Sequence, residues 1–302
     1  MTSDSPLVSV LMTAYNRQNF IREAIESVLA STYSNFELIV VDDASTDKTV
    51  AIAKSYADKD ERVKVYVNEK NIGDYPNRNK AASYSNGKYL KYLDSDDMIL
   101  KDGLMKMVEA IECYPEAAMA MIWVYDDAVF QPVLYTPEMA LKEYFFNNRW
   151  LLVGPTGTII NSTIFFKMGG FSGKQYVSDF EFNMRCATLY PIVKMQNGLI
   201  YYRIHDQQQG LETGHSKTFR VWQYKIQREA LMNLLCPLKE ADRKMAFKKI
   251  NKLQARRVVF YFFNKMNLIA CYKIIKESGL GWKNFIVGLL TIKKEHISLH
   301  NQ

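Results

Sequence analysis

The stretch that decides the fold is VSVLMTAYNRQNFIREAIESVLASTYSNFELIVVDDAS, which covers residues 8–45. It contains two apolar runs rich in β-branched residues, one near each end, and this composition predicts strands buried on both faces. Between the runs, Ile21, Ile25 and Val28 recur at the spacing of an amphipathic helix. The stretch therefore predicts strand, helix and strand, and each strand ends in polar residues, TAYN and DDAS.

The same alternation continues to residue 97. TDKTVAIAKSYADK predicts a helix, RVKVYVNE a strand, YPNRNKAASYSNG a helix and KYLKYLDSDD a further strand. Strands that alternate with helices of about a dozen residues predict an α/β fold with a Rossmann-like, mostly parallel central sheet flanked by helices. Ligands of such sheets bind outside the carboxyl ends of the strands. Because TAYN, DDAS and DSDD all follow strands, the pattern predicts that they meet at one polar edge.

After residue 100 the pattern is less regular. GLMKMVEAIECYP predicts a helix and AAMAMIWVYDDAVF a strand, whereas residues 131–175, richer in Pro, Gly and aromatic residues, predict loops and short strands. A helix is predicted to begin near Ser178, and the chain from about residue 216 onward is predicted to be helical. We therefore expect two parts: residues 1–215, which contain the sheet, and residues 216–302, a basic and mainly helical C-terminal region.

The charge of the chain is distributed unevenly between these parts. The net charge of +7 combines 21 Lys and Arg against 27 Asp and Glu in residues 1–216 with 18 against 5 in residues 217–302. In the C-terminal region the basic residues are interleaved with aromatic and aliphatic ones, a pattern that favours contact with an anionic membrane surface. The alternatives are a basic appendage packed on the acidic part, or a contact within a homodimer.

The remaining composition is typical of a globular protein, with 48% hydrophobic and 24% charged residues. No uninterrupted apolar run reaches the roughly 18 residues of a spanning helix. The N-terminus also lacks the basic and apolar segments of a secretory signal. The four cysteines contain no CxxC pair and fit reduced thiols. We expect a cytoplasmic protein, with peripheral attachment at the inner face of the cell membrane through its basic region.

Asp94, Asp96 and Asp97 crowd the end of an apolar, aromatic strand. Residues i and i+2 of a strand point to the same side, so Asp94 and Asp96 can converge on one point. Their repulsion is relieved by a hard divalent cation, Mg²⁺ or Mn²⁺, which prefers carboxylate oxygens. The alternative is a solvated acidic turn before the next helix, because DSD by itself is a common tripeptide.

The ordered motifs, taken together, resemble the family 2 glycosyltransferases, which have the GT-A fold. The resemblance rests on residues 8–49, on NRNKAASYSNGKYLKYLDSDD, on GPTGTIINSTIFFKMGGFSGKQYVSDFEFNMR and on YYRIHDQQQG, and it covers about residues 7–210. Within this family the chain is most similar to bacterial transferases that build surface polysaccharides or lipopolysaccharide. The C-terminal region carries no motif that we can assign.

The resemblance implies which residues hold the nucleotide and the metal. The TAYN segment would lie against uracil, Asp43 would hydrogen-bond the base, and Asp94, Ser95 and Asp96 would form the DXD motif. The residues implied for nucleotide binding are Thr13, Ala14, Tyr15, Asn16, Asp43, Arg78, Asp94 and Ser95. The residues implied for metal binding are Asp96, Asp94, Asp97 and His205. Asp97 competes with Asp96 as the direct ligand, and His205 is equally consistent with a purely structural, hydrogen-bonded role.

The resemblance also implies a catalytic base, Asp179. Family members usually carry Glu-Asp where this chain has Ser178 and Asp179, so the first position departs from the pattern. The alternative for Asp179 is a helix N-terminal charge favoured by the helix dipole. Gly154 and Gly157 either let the backbone approach a donor sugar or mark a turn.

The implied activity is that of an inverting, metal-dependent glycosyltransferase of the hexosyltransferase type. It would move a sugar from a nucleotide sugar, most simply a UDP-sugar, to a hydroxyl group of a saccharide or lipid-linked acceptor. A nucleotidyltransferase or another sugar-nucleotide enzyme is the first alternative, although TAYNRQNF lacks the glycines of a phosphate loop. A nucleic-acid-binding protein is the second, although the basic region contains no such motif.

Overall fold

The structure, a computed structural model, describes residues 5–123, 131–205, 217–265 and 267–290. The chain forms two compact units, Met1–Gln208 and Gln209–Gln302. In the described parts, the first unit contains the sheets with their helices, and the second contains helices.

The first unit is built around one large sheet. Its described strands are β1 (Val8–Ala14), β2 (Phe36–Asp42), β3 (Val63–Val67), β4 (Tyr89–Tyr92), β5 (Met98–Ile99), β6 (Met119–Ile122), β7 (Val133–Tyr135), β8 (Thr158–Asn161), β9 (Ile192–Met195) and β10 (Ile200–Tyr201). Eight of them form a sheet in the order β3-β2-β1-β4-β8-β6-β9-β7. The run β3-β2-β1-β4 is parallel, as is the pair β6 and β9, whereas β7 and β8 pair antiparallel with their neighbours. The predicted mostly parallel sheet is confirmed.

Helices flank this sheet, and α1 illustrates why they form. Its buried residues include Ile21, Ile25 and Val28, and its opposite side carries exposed Glu23 and Glu26, so one apolar face packs inward. The strands β1 and β2 are buried along almost their whole length, as their apolar sequences predict. The helices of this unit are α1 (Ile21–Leu29), α2 (Thr49–Ala57), α3 (Asp74–Ser83), α4 (Gly103–Glu112), α5 (Pro137–Phe146), α6 (Ser162–Lys167) and α7 (Ser178–Leu189).

Parallel pairing brings the polar ends of three strands together. In the register of the sheet, Ala14 of β1 lies beside Asp42 of β2, and Leu11 lies beside Tyr92 of β4. The segments that leave these strands therefore share one edge. A second, two-stranded sheet pairs β10 with β5, Ile200 opposite Ile99, and so brings residues 202–205 next to the turn that follows β4.

The prediction for residues 131–175 is wrong in part, because α5 lies there. Its start is well defined: Thr136 accepts a hydrogen bond from the Met139 N–H, and Pro137 occupies the first helical position. The richness in Pro, Gly and aromatic residues obscured this cap signal. The strand predicted over AAMAMIWVYDDAVF is present as β6, and its later part, residues 124–130, lies outside the described residues.

The second unit contains α8 (Lys217–Met232), α9 (Glu240–Lys265), α10 (Leu268–Ser278) and α11 (Trp282–Leu290). The long helix α9 packs against each of the other three. The buried residues of this unit include Leu231 of α8 and Ala246 and Val258 of α9. The predicted helical character of this region is confirmed for the described residues. Within those residues, no helix has the length and apolar content needed to cross a bilayer.

Candidate active site

Three carboxylates cluster in the turn after β4. Ligand oxygens of Asp94, Asp96 and Asp97 all lie within 4.8 Å of one another. The turn is closed by the Asp97 N–H, which donates to the Asp94 carbonyl oxygen at 2.9 Å. Asp97 is buried, whereas Asp94 and Asp96 are partly exposed. The acids do converge on one point, but through a turn and not through the alternation of a strand, because β4 already ends at Tyr92.

Basic groups from three other segments contact the acidic cluster. Arg78 of α3 donates from Nη2 to Oδ1 of Asp94 at 2.7 Å. On the other side, Oδ2 of Asp96 lies 3.2 Å from Nε of Arg17 and 3.1 Å from Nε2 of His205. The structure thus brings His205, 108 to 111 positions further along the chain, next to the acids with which the sequence grouped it.

The environment separates the pKa values of the acids. Burial raises the pKa of Asp97 to about 7, and the charge of Asp94 adds to this effect. Burial alone would also raise the pKa of Asp94, but the Arg78 guanidinium holds it below its ordinary value. The Asp97 carboxylate accepts one hydrogen bond, from the Arg203 backbone N–H at 3.0 Å. Asp94 is therefore ionised near neutral pH, whereas Asp97 holds a proton over part of that range.

Arg78 lies at the centre of a charged group that extends beyond the cluster. It is 8% exposed, and its Nε donates to Oδ1 of Asp74 at 2.8 Å while Nη2 binds Asp94. Its third nitrogen, Nη1, is buried and has no hydrogen-bond partner among the described residues. Leaving a buried guanidinium N–H unsatisfied is costly, so this group is suited to an anionic ligand.

Lys91 and Thr156 belong to this site, and the sequence analysis missed both. Lys91 is fully buried in β4, and its ammonium group donates to the carbonyl oxygens of Tyr92, at 2.7 Å, and of Thr156. The Thr156 hydroxyl oxygen in turn accepts the Asp94 N–H at 3.1 Å. A charged residue inside the apolar run YLKYL was the signal that could have indicated Lys91. Together these bonds tie the turn at Pro155–Gly157 to the start of the acidic cluster.

The loop after β1 is joined to the loop after β2. Asn16, at φ +52°, donates its N–H to the Ser45 hydroxyl at 2.8 Å and accepts the Thr46 N–H on Oδ1 at 2.9 Å. Thr13 and Ala14 end β1 directly before this junction, and the Tyr15 side chain is 45% exposed. The two loops therefore hold one exposed aromatic ring on a fixed backbone, an arrangement that suits stacking against a planar ligand.

Asp42 and Asp43 have different roles in the loop after β2. Asp42 accepts hydrogen bonds from the backbone and the hydroxyl group of Ser45, and burial raises its pKa. Asp43 accepts on Oδ1 from the Asn68 side chain and the Ile72 N–H, and on Oδ2 from the Gly73 N–H at 2.9 Å. A carboxylate oxygen has two acceptor positions, so Oδ2 of Asp43 can accept one further donor. Asp42, through its bonds to Ser45, holds the loop after β2 in place.

Asp179 lies in the first turn of α7, within the electrostatic influence of Arg78. Burial raises the pKa of Asp179. The Phe180 N–H, which donates to Oδ1 at 2.7 Å, the Tyr75 hydroxyl and the Arg78 charge act in the opposite direction. A Cβ built on Gly154 would lie 4.0 Å from Oδ2 of Asp179. The side chain is partly exposed, so it has access to solvent at a rim that also contains the acidic cluster.

Two predicted positions remain, Ser95 and Gly157. Ser95 is buried at 4% exposure. Gly157 ends the 3₁₀ turn Pro155–Gly157, and a Cβ there would lie 2.5 Å from Cγ1 of Val153 and 2.8 Å from the Tyr202 hydroxyl. This glycine is therefore required by close packing in a turn.

The fold is similar to that of solved structures with bound nucleotide sugars. S. aureus TarS 1–349, solved with UDP-GlcNAc, superposes with a TM-score of 0.70 at 22% identity, over 93% of this chain and 81% of TarS 1–349. The mannosyltransferase PcManGT of Pyrobaculum calidifontis, solved with GDP-Man and Mn²⁺, superposes with a TM-score of 0.61 at 14% identity, over 95% and 87%. The parallel sheet with its acidic edge is thus the GT-A fold, as expected.

The sequence itself matches the family. The profile described as Glycosyl transferase family 2 covers residues 9–170. An uncharacterized glycosyltransferase of Methanocaldococcus jannaschii is 34% identical over 211 residues, 67% of this chain and 72% of that protein. Bacillus subtilis TuaG, named for teichuronic acid biosynthesis, is 43% identical over 109 residues, 36% of this chain and 43% of TuaG. The chain belongs to glycosyltransferase family 2, and it is a glycosyltransferase rather than the nucleotidyltransferase or nucleic-acid-binding protein that the sequence left open.

Proposed function

We propose that this glycosyltransferase moves a sugar from a UDP-sugar to a hydroxyl group of a saccharide or lipid-linked acceptor. The proposal is carried by one observation: the acidic cluster is joined to its neighbours by basic groups. Arg17, in the loop after β1, pairs with Asp96, and Arg78 pairs with Asp94 and also lowers the pKa of Asp179. The structures of TarS with UDP-GlcNAc and of PcManGT with GDP-Man support a nucleotide-sugar donor. The name of TuaG, which refers to teichuronic acid biosynthesis, supports a polysaccharide acceptor.

In this proposal the nucleotide binds across the two joined loops. The exposed Tyr15 ring stacks on uracil, with Thr13, Ala14 and Asn16 beside it. Asp43 accepts the uracil N3–H on Oδ2, which has a free acceptor position. The unpartnered Nη1 of Arg78 donates to the diphosphate. Asp94 and Ser95 lie next to the ribose.

The acidic cluster fits a divalent cation, Mn²⁺ or Mg²⁺. Three carboxylates with oxygens within 4.8 Å of one another supply the hard ligands that such ions prefer. We assign Asp96, Asp94 and Asp97 as ligands, with His205 beside them at 3.1 Å from Asp96. When bound, the cation would stabilise the negative charge of the departing diphosphate. The Mn²⁺ in PcManGT supports this assignment.

Asp179 acts as the general base of a single displacement. Its carboxylate takes the proton of the acceptor hydroxyl, whose oxygen bonds to the anomeric carbon while the bond from that carbon to the diphosphate oxygen breaks. Attack from the face opposite the leaving group inverts the anomeric configuration. Burial raises the pKa of Asp179, which makes its carboxylate a stronger base than that of an exposed aspartate.

We also propose a location for the enzyme. All four cysteines are free, as expected of a protein in the reducing cytoplasm. The strongly basic C-terminal region favours peripheral attachment to the inner face of the cell membrane, where a lipid-linked acceptor would be available.

Two substitutions test the proposed roles separately. Asp96→Ala is expected to abolish the Mn²⁺-dependent part of UDP binding, measured by calorimetry with and without the metal. Asp179→Asn is expected to leave UDP binding within twofold and to slow transfer by roughly 10²–10⁴-fold, the usual contribution of a general base. Asp102→Asn, an exposed aspartate before α4, is the matched control and should change neither quantity.

The assay for transfer uses a panel of UDP-sugars and GDP-Man, with donor hydrolysis as the readout in the absence of a known acceptor. Normal turnover by Asp179→Asn would show that another group is the base. Metal-dependent UDP binding that survives in Asp96→Ala and also in Asp97→Ala would place the cation elsewhere.

A further inference from the structure

The second unit contains a groove that plays no part in the chemistry above. It has a volume of about 230 Å³ and lies between α9 and α11. Lys244, Lys248 and Lys252 line it from α9, and Asn284 and Val287 line it from α11. We call this feature the basic groove. No Asp or Glu is among its lining residues.

The lysines of the basic groove repeat at every fourth position, so they lie on one face of α9 with a rise of about 6 Å between them. Like charges at this spacing repel and destabilise a helix. Lys244 pairs with Glu240 at 2.5 Å, but both side chains are about three-quarters exposed, and such pairs contribute little. Lys248 and Lys252 have no carboxylate partner in the described part of the chain. The face therefore carries uncompensated positive charge around a concave site.

Apolar residues flank the same groove. Phe247 and Val287 are among the lining residues, and Val287 is 44% exposed. On α11, Trp282 and Ile286, one helical turn apart, are 56% and 52% exposed. Exposed Trp and Ile beside lysines is the composition of helices that lie in a membrane interface. With nine residues, α11 is far shorter than the roughly 20 residues of a spanning helix.

We propose that the basic groove binds the phosphate headgroup of an anionic phospholipid while Trp282 and Ile286 enter the interface of the bilayer. This inference specifies the membrane attachment of the proposed function and rests on it. Charge complementarity favours an anionic phospholipid as the partner, because the three lysines of the groove would face its phosphate groups. The exposed apolar residues favour a lipid over a nucleic acid as the partner, because a bilayer has an apolar interior that these side chains can enter and a nucleic acid does not.

The test is co-sedimentation of the full chain with vesicles of phosphatidylcholine alone and with 30% phosphatidylglycerol, at 0.1 M salt. The double variant Lys248→Ala/Lys252→Ala is expected to bind the anionic vesicles about 30-fold more weakly, from the known contribution of each basic residue near such a surface. The matched control is Lys273→Ala/Lys276→Ala, which removes the same charge from exposed positions of α10 outside the groove. It is expected to lose less than threefold. Trp282→Ser should weaken binding severalfold without changing its dependence on salt.

Equal losses in the two double variants would overturn the inference, because diffuse attraction would then explain the binding. The inference would also be overturned if the chain did not bind anionic vesicles, or if it bound single-stranded DNA more tightly through the same lysines. Binding of millimolar glycerol phosphate without any binding of vesicles would overturn it as well. UDP binding is measured on every variant. Intact UDP binding without vesicle binding removes only this inference, whereas vesicle binding without UDP binding removes the donor assignment and leaves the lipid site.

Discussion

Replacing Lys91 by methionine tests how a buried cation is tolerated beneath the acidic cluster. The side chain is fully buried, and its amine donates to the carbonyl oxygens of Tyr92 and Thr156. Burial lowers the pKa of Lys91 to about 7, against the opposing effect of Asp94 and Asp97. A neutral amine has two N–H donors, which match the two carbonyl acceptors. The native state therefore favours the neutral form, whereas the unfolded chain keeps the ordinary lysine pKa of about 10.4.

The sign and size of the effect follow from proton linkage. Between pH 7 and about 10 the unfolded state binds more protons at this site than the native state, so stability rises with pH. A pKa of about 7 in the native state gives a gain of about 2.5 kcal/mol between pH 7.5 and 9.5. The methionine variant lacks this gain, and it leaves two carbonyl oxygens without their donor, at about 1–3 kcal/mol each. Wild type and variant should thus be closest in stability at low pH and diverge as pH rises.

The measurement is urea unfolding of both proteins at pH 7.5, 8.5 and 9.5, with the difference in free energy of unfolding as the readout. Taking this difference cancels titrations that the two proteins share. Lys88→Met, at an exposed lysine directly before β4, controls for the loss of a charge. If the difference between wild type and Lys91→Met stays within 0.5 kcal/mol across this range, roughly the error of two extrapolations, the buried amine is not neutral and the reasoning fails.

Two further predictions concern the loops of the site. Ala44 has a φ of +63°, a conformation that costs a non-glycine residue about 1–2 kcal/mol, so Ala44→Gly should raise the free energy of unfolding by about 1 kcal/mol. Ala51→Gly, at an exposed position of α2, should lower the free energy of unfolding by about 1 kcal/mol. Equal losses of stability in the two variants would show that the backbone at Ala44 is not strained. Tyr75→Phe removes a hydroxyl group that lowers the pKa of Asp179, so the acid limb of the pH profile of transfer should move to higher pH. An acid limb that stays in place or moves down would rule out contact between the two groups in the working enzyme.

The sequence predicted much of the site because the relevant residues follow strands. TAYN, DDAS and DSDD each end an apolar run, and parallel strands end at the same edge, so their meeting required no knowledge of side-chain contacts. The same reasoning failed for α5, where the cap formed by Thr136 and Pro137 was outweighed by a loop-like composition. It also passed over Lys91, because a single charge within an apolar strand changes neither its period nor its burial.

By itself, the sequence determined the alternation of strands and helices up to residue 97, the parallel core and the set of acids at its edge. These features depend on the local period of apolar residues and on the chain direction of neighbouring strands. Only the tertiary structure decided which basic or polar group faces which carboxylate. Arg78 with Asp94, His205 with Asp96, and Tyr75 with Asp179 are pairs from separate segments. These pairs arise from packing between elements far apart in the chain, and the pKa values depend on the burial that the same packing creates.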